Sequence, residues 1–150
     1  MKRTTRYQAA IIEDHQILLL QAIDAQDGQT FWLLPGGGQE ADETEAACVR
    51  REVLEETCLS VDVGRLILDE PGIEDDTYQR LKTYVCRVLE GEAQPGCEPE
   101  VDTADFTTIQ QIGWFDLRQP STWDDLVRSD SITYPLLQRI RIALGYATLD

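Results

Sequence analysis

Three glutamates, Glu52, Glu55 and Glu56, lie close together in the stretch from Pro35 to Leu59. On an α-helix, residues at i, i+3 and i+4 share one face, so the three carboxylates would occupy an arc of roughly 100°. Like charges this close destabilise a helix by a few tenths of a kcal/mol per pair, and no lysine at i+4 offsets them. The spacing therefore favours a face that binds a cation, although a solvated acidic face would show the same pattern.

Three glycines, Gly36 to Gly38, lie directly upstream of these glutamates. Glycine tolerates positive φ and leaves the backbone bare, so we expect main-chain carbonyl or amide groups of this turn to face a ligand. Carboxylates together with a carbonyl are the oxygen donors that Mg²⁺ accepts, and substrate phosphates can complete the octahedron. A PGGG turn alone is more often an ordinary turn after a strand, but with the glutamates it indicates a metal site.

The spacing of the whole stretch is also distinctive. Gly37 is followed by five residues, Glu43, seven residues and then REVLEETCL, which ends at Leu59. This closely resembles the Nudix box, Gly-x5-Glu-x7-Arg-Glu-U-x-Glu-Glu-x-Gly-U with U aliphatic, and departs from it at Cys58, where the box has glycine. The lead-in WLLPGG is similar too. The 23 residues from Gly37 to Leu59 thus resemble the Nudix hydrolase family (MutT-like), with no subfamily assigned.

The resemblance implies roles for individual residues. It implies metal ligands at Gly36, through its carbonyl, and at Glu52, Glu55 and Glu56, which are also the catalytic acids. It implies structural roles in the motif for Gly37, Glu43 and Arg51, the last two as an ion pair that fixes the loop against the helix. We expect Glu52 and Glu56 to bind the metal directly and Glu55 to be a further ligand or the general base.

The resemblance also implies a reaction, the hydrolysis of a phosphoanhydride bond in a nucleoside diphosphate linked to another moiety, such as a nucleoside triphosphate or a nucleotide sugar, with Mg²⁺ or Mn²⁺. A metal neutralises phosphoryl oxygens and lowers the pKa of an attacking water, and a carboxylate accepts its proton. Two alternatives stay open: a non-catalytic nucleotide sensor, and a diphosphate isomerase, for which Cys86 is the one strand thiol on offer.

Composition limits the class of partner. The chain has 150 residues, a hydrophobic fraction of 42% and a formal net charge of −15, which favours a single packed domain over residues 1–150. Such a charge disfavours binding to nucleic-acid polymers or anionic membranes, but a small diphosphate substrate is compatible if a metal mediates. The cysteines show no CxxC spacing, so we expect buried free thiols. No apolar run is long enough for a membrane span, which predicts a cytoplasmic protein, with a homodimer possible.

The elements that position the box are predicted as strands, helix, strands and helices, which gives an α/β fold of the Nudix type, an α/β/α sandwich with a mixed β-sheet. A hairpin is predicted over Tyr7 to Glu13 and Ile17 to Ile23, and a third strand over FWLL. The box helix is predicted from Glu45 to Thr57, with Thr44 or Asp42 as its N-cap. Further strands are predicted in SVDVGRLILDE, YQRLKTYVCRVLE and IQQIGWFDL, followed by a short helix opened by Ser121 and a helix over Tyr134 to Leu144.

Residues outside the box are less clearly assigned. The family often recruits another acid from a later loop, and the candidates are Glu98 and Glu100, with Asp102 and Asp105 behind them. Trp32, Trp114 and Phe115 could stack on a base but are more typical of a core. The cations Lys2, Arg3 and Arg6 could reach a phosphate, and we interpret them instead as part of a flexible terminus. Cys58 is expected to be structural and catalytically silent.

Overall fold

A computed structural model describes residues 4–24, 26–72, 78–96 and 107–146, with the backbone alone at 107 and 108. The strands in these ranges are β1 (Thr5–Glu13), β2 (Gln16–Asp24), β3 (Thr30–Leu33), β4 (Gly36–Gly38), β5 (Ser60–Pro71), β6 (Arg80–Glu90) and β7 (Thr107–Asp116). The helices are α1 (Glu45–Thr57), α2 (Asp125–Arg128) and α3 (Thr133–Ala143), with a 3-10 turn at Pro120–Thr122. No helix in these ranges is long and apolar enough to cross a membrane.

The strands of the described ranges form one mixed sheet. Its main path is β3-β2-β1-β6-β5, with β4 beside β1 and β7 beside β2. β1 and β6 run parallel, and the other pairs are antiparallel. The β1–β2 hairpin turns at Asp14 and His15, both at positive φ, close to the predicted position. The arrangement confirms the predicted α/β/α sandwich.

Alternation along β2 creates two cores. Ile17 and Leu19 face α2 and α3, whereas Leu18 and Leu20 face α1, because successive side chains of a strand point to opposite faces. Each face of the sheet is therefore covered by helices, and β1 contributes to both cores.

The box helix α1 has the predicted bounds. The hydroxyl of its N-cap Thr44 accepts a hydrogen bond from the Ala47 N–H at 3.1 Å, which satisfies one of the free amides of the first turn. Val49 and Val53 are fully buried against the sheet. The first turn is also tied to β6, because the Lys82 ammonium lies 3.2 Å from Glu45. The helix is thus fixed in position before its glutamates are considered.

The C-terminal helices differ in part from the prediction. Ser121 lies in the 3-10 turn and opens no α-helix; α2 begins four residues later, where the Asp124 carboxylate accepts from the Leu126 N–H. The Asp124 side chain lies two residues before that amide and therefore caps α2. Ser121 lies inside the 3-10 turn, which ends one residue later at Thr122. α3 lies one residue earlier than predicted, and Gly145 follows it at φ +82°.

Candidate active site

The three glycines form a strand rather than the predicted turn. Gly36, Gly37 and Gly38 pair with Gln8, Tyr7 and Arg6 of β1, and none of the three has positive φ. The expectation that they supply positive φ is therefore wrong. Glycine is needed here because other atoms lie too close to the backbone of Gly36 and Gly37 for a side chain to fit. A Cβ on Gly36 would lie 2.5 Å from the Tyr7 carbonyl oxygen, and one on Gly37 would lie 2.3 Å from Glu52 Oε2.

Glu52 and Glu56 lie on the α1 face that meets this strand. The Gly36 N–H donates to Glu56 Oε1 at 2.9 Å, and the Glu52 carboxylate packs directly on bare Gly37. Burial raises the pKa of Glu56 to about 8, against the lowering influence of the Arg6 charge, and Glu52 raises it further. Burial also raises the pKa of Glu52. Burial therefore disfavours the ionised form of both carboxylates, and a bound cation would stabilise that form.

Arg51 is a cation that the sequence analysis overlooked as a partner of the glutamates. Its Nη1 lies 3.0 Å from Glu52 Oε2 and 3.2 Å from Glu55 Oε1, the second pair being at i, i+4. A rule that considers only lysine four residues after each glutamate does not find this arginine, which lies four residues before Glu55. Part of the predicted charge repulsion is thus already offset within the helix.

The same guanidinium joins the loop to the helix. Arg51 Nε lies 2.7 Å from Glu43 Oε2, and its Nη2 donates to the Gly38 carbonyl at 3.0 Å. The hydrogen bond from Arg51 is the main reason that the pKa of Glu43 is lowered. Glu43 Oε1 also accepts from the Glu40 N–H at 2.9 Å. These contacts hold the segment after β4 against α1.

The residues present fit a hard divalent cation by their chemistry. The charge of Glu55 raises the pKa of both Glu52 and Glu56, and the charge of Glu52 raises the pKa of Glu56, so these charges act on a common region that the Gly36 backbone borders. Among the described residues, however, no group of three or more His, Cys, Asp or Glu side chains converges as a ready-made ion site. Arg51 and the Gly36 N–H hold the carboxylates instead, and these contacts would have to be shared with an ion.

The C-terminal end of α1 explains the departure from the box at Cys58. Cys58 adopts φ 64° and ψ 14°, the left-handed conformation in which glycine is favoured. Its N–H still donates to the Leu54 carbonyl at 3.1 Å. Gly91 packs against this turn, and a Cβ there would lie 2.8 Å from the Cys58 carbonyl oxygen. The helix therefore ends as a glycine would end it, and the strain is tolerated.

Two further groups of candidates are the loop acids with the terminal cations, and the aromatic residues. Glu98, Glu100, Asp102, Asp105, Lys2 and Arg3 lie outside the described residues. Trp32 and Phe115 are buried with ring centroids 5.0 Å apart, as a core interpretation requires, and Trp114 is partly exposed. All three line a cavity of about 470 Å³ beside the 3-10 turn, away from the glutamates.

Two thiols are buried as expected, Cys48 and Cys86, and burial raises the pKa of each to about 12. Cys58 is partly exposed, so the expectation of burial is wrong there, and Cys97 lies outside the described residues. A buried thiol with a raised pKa is a poor nucleophile. Neither Cys48 nor Cys86 therefore offers a reactive group.

Arg6 is placed differently from our prediction. It lies in β1 and donates to the Gly36 carbonyl at 3.1 Å and to the Leu34 carbonyl at 2.8 Å, so its assignment to a flexible terminus is wrong. The signal in the sequence was its position two residues before Gln8, on the same face of a strand. The pairing of that strand with the glycines could not be read from the sequence.

Comparison with known proteins agrees with this architecture. A family model described as NUDIX domain matches residues 3–129. The chain is 23% identical to an ADP-ribose pyrophosphatase from Streptococcus suis, over 100% of this chain and 95% of that one, with a TM-score of 0.67. It is 24% identical to a MutT NUDIX hydrolase from Burkholderia pseudomallei, over 91% and 97% of the two chains, with a TM-score of 0.64.

A third similar structure is a UDP-X diphosphatase, 20% identical over 98% of this chain and 66% of that chain, with a TM-score of 0.67. At these identities the solved structures show a common fold.

Proposed function

Because the chain belongs to the Nudix family, we propose that it is a metal-dependent hydrolase that cleaves a phosphoanhydride bond in a small nucleotide-type diphosphate. Membership confirms the family and fold predicted from the box and supports the predicted enzyme class. One observation carries the proposal: Glu52 and Glu56 are set against the bare backbone of Gly36 and Gly37. We further propose that residues 1–150 form one domain, since both cores share one sheet.

The proposed cofactor is Mg²⁺ or Mn²⁺, held by the Gly36 carbonyl and by the carboxylates of Glu52, Glu55 and Glu56. When bound, such an ion supplies Lewis-acid stabilisation of the phosphoryl oxygens and lowers the pKa of a water. Of Glu52 and Glu55, the two acids of the proposed site that Arg51 contacts, Glu55 is the more exposed, with 27% of its side chain accessible against 13% for Glu52. This exposure favours Glu55 for accepting the proton of the attacking water, or else as a further ligand.

An additional acid from the loop after β6 stays a proposal. The described chain reaches the site at Gly96, whose N–H donates to the Glu56 carbonyl at 3.0 Å. Glu98 and Glu100 follow two and four residues later in the sequence. Proximity of Gly96 to the box helix supports these two residues over acids elsewhere in the chain.

The proposed substrate class is a nucleoside diphosphate linked to another group. The names of similar structures, an ADP-ribose pyrophosphatase and a UDP-X diphosphatase, are consistent with it. Binding to a nucleic-acid polymer or a membrane is disfavoured by the net charge of −15. The cytoplasmic location and a homodimer are likewise proposals, the latter by analogy with the family.

Two alternative functions, a nucleotide sensor and a diphosphate isomerase, can be distinguished from the proposed hydrolase. A sensor that binds a nucleotide without cleaving it would have no need of three intact glutamates. A thiol-dependent isomerase is disfavoured because Cys86 is 3% exposed and its pKa is raised by burial.

The proposal is tested by chromatographic detection of the nucleotide products formed from nucleoside triphosphates, nucleotide sugars, ADP-ribose and dinucleoside polyphosphates, with and without Mg²⁺. We expect turnover of at least one substrate only with the ion, and loss of about 100-fold or more in Glu56→Gln. The control is Glu90→Gln, at an exposed position, which should leave the rate unchanged. Tight nucleotide binding without turnover would favour the sensor, and full activity of Glu56→Gln would refute the site.

A further inference from the structure

Arg6 is a cation beside the site that forms no ion pair with any residue in the described part of the chain. Its guanidinium donates to three neutral oxygens, the Gly36 and Leu34 carbonyls at 3.1 and 2.8 Å and the Gln8 side-chain oxygen at 3.3 Å. No carboxylate within the described ranges lies in ion-pair distance of it. Arginine has five N–H donors, so these three contacts leave two of them for another acceptor.

Arg51, which contacts Glu52 and Glu55 directly, shows the contrast. Its guanidinium contacts four carboxylates and is committed to them. The charge of Arg6 is instead not paired with a carboxylate of the described residues, in a chain whose net charge is −15. Of these two arginines, Arg6 is therefore the one that an incoming anion could engage without breaking an ion pair to a described residue.

The position of Arg6 places that charge at the proposed reaction centre. The carbonyl of Gly36 accepts from Arg6, while the N–H of the same residue donates to Glu56. The Arg6 charge acts on both Glu52 and Glu56. A phosphate drawn to a cation on these carboxylates would therefore come within reach of the guanidinium.

We propose that Arg6 is a phosphate-binding residue of this site, which rests on the Gly36 and Leu34 carbonyls in the free protein and donates to a diphosphate oxygen in the complex. This inference rests on the proposed function for the nature of the substrate. The exchange is favourable because a charge-assisted bond to phosphate replaces a bond to a neutral carbonyl. Since the guanidinium lies on the Gly36 carbonyl, it would also be repelled by a cation bound there, which promotes the move.

The test uses methylenediphosphonate, a diphosphate analogue that cannot be hydrolysed, titrated calorimetrically at fixed Mg²⁺ into wild type, Arg6→Gln and Arg6→Lys. We expect Arg6→Gln to weaken binding by about tenfold or more, and Arg6→Lys to retain much of it, because lysine keeps a point charge without the planar fork. The matched control, Arg65→Gln at an exposed position of β5, should bind as wild type does.

A second titration, with Mn²⁺ alone, separates this role from a structural one. If Arg6 competes for the Gly36 carbonyl, Arg6→Gln should bind Mn²⁺ several-fold more tightly while it binds the diphosphonate more weakly. A purely structural arginine would lower the melting temperature and weaken both ligands together. That result, or unchanged diphosphonate binding and KM in Arg6→Gln, would overturn the inference.

The outcomes also distinguish this inference from the proposed function. Diphosphonate binding that depends on Arg6, in a protein that hydrolyses no substrate, would refute the hydrolase and leave the role of Arg6 intact. Hydrolysis with a KM that is insensitive to Arg6→Gln would support the hydrolase and refute the phosphate-binding role of Arg6.

Discussion

The two ends of α1 are held to the rest of the molecule in different ways. Near its N-terminal end the contact is ionic, because Arg51 reaches back to Glu43 at 2.7 Å. At its C-terminal end the contact is made by the backbone, where the Gly96 N–H donates to the Glu56 carbonyl at 3.0 Å. The first junction therefore depends on ionisation and side-chain geometry, and the second depends on backbone conformation.

This difference indicates where the molecule tolerates change. Glu52 contacts both Arg51 and Gly37, so the ionic junction and the proposed chemistry share atoms. The backbone junction carries a left-handed Cys58, and the hydrogen bonds that form it join main-chain atoms, from the Gly96 N–H to the Glu56 carbonyl and from the Cys58 N–H to the Leu54 carbonyl. Changes at the first junction should alter stability and chemistry together, whereas changes at the second should alter stability alone.

The largest effect is expected from Arg51→Gln. Loss of the guanidinium leaves Glu43, Glu52 and Glu55 without their partner, and Glu43 and Glu52 are only 12% and 13% exposed. Breaking a largely buried pair in this way costs about 3 kcal/mol. Urea denaturation at pH 7 would measure the change in the free energy of unfolding.

The control for this substitution is Arg87→Gln. Its pair with Asp62 is exposed on both sides, at 71% and 58%, so we expect a change below about 0.5 kcal/mol. Equal effects of the two substitutions would show that the ionic junction has no special role.

The next largest effect is expected from Gly37→Ala, and it falls on activity. The new Cβ would lie 2.3 Å from Glu52 Oε2, so the carboxylate must move, and a displacement of this size can cost about 100-fold in rate. Mn²⁺ titration and the rate of substrate hydrolysis would measure it. Gly28→Ala, where a Cβ meets no atom within 4 Å, should keep the wild-type rate; a Gly37→Ala rate near wild type would exclude a role for Glu52 at its present position.

The sequence predicted the parts of the site that follow from local rules. The bounds of α1 follow from Thr44 and from the spacing of Val49 and Val53, and each of these signals lies within a few residues of what it predicts. The family resemblance of the box then placed Glu43 and Arg51 in contact, as the structure has them.

The rest depends on strand pairing, which the sequence does not show. That Gly36 to Gly38 form a strand is visible only when β1 lies beside them, and the reason for glycine at Gly37 is a side chain fifteen residues away, Glu52. Arg6 was misassigned for the same reason, since its acceptors lie 28 and 30 residues along the chain. Contacts of this range follow from the register of the sheet rather than from local pattern.

A smaller effect, and a test of the ionic character of the first junction, is expected from pH. Because the hydrogen bond from Arg51 lowers the pKa of Glu43, the ionised carboxylate stabilises the folded state above the unfolded pKa of about 4.3. That stability is lost as pH falls through the lower, folded value. Glu43→Gln should cost about 1.5 kcal/mol at pH 7 and should flatten the fall in unfolding free energy below about pH 4.3. A slope that survives in Glu43→Gln would assign the acid sensitivity to other carboxylates.

The smallest effect is expected at the second junction, from Cys58→Gly, and it is a gain. Cys58 is at φ 64°, and a side chain in this conformation costs about 1 kcal/mol relative to glycine. The greater entropy of glycine in the unfolded chain offsets part of this, so we expect a net stabilisation of about 0.5 kcal/mol. Thermal unfolding would measure it, and the rate of substrate hydrolysis should be unchanged.

The matched variant for this substitution is Cys58→Ala, which removes the thiol but keeps the Cβ. If backbone strain is the cause, Cys58→Ala should show no gain, because alanine is as strained as cysteine at positive φ. Equal gains in the two variants would trace the effect to the thiol. A loss of activity in Cys58→Gly would contradict the comparison itself, since it would couple the backbone junction to the chemistry of the glutamates.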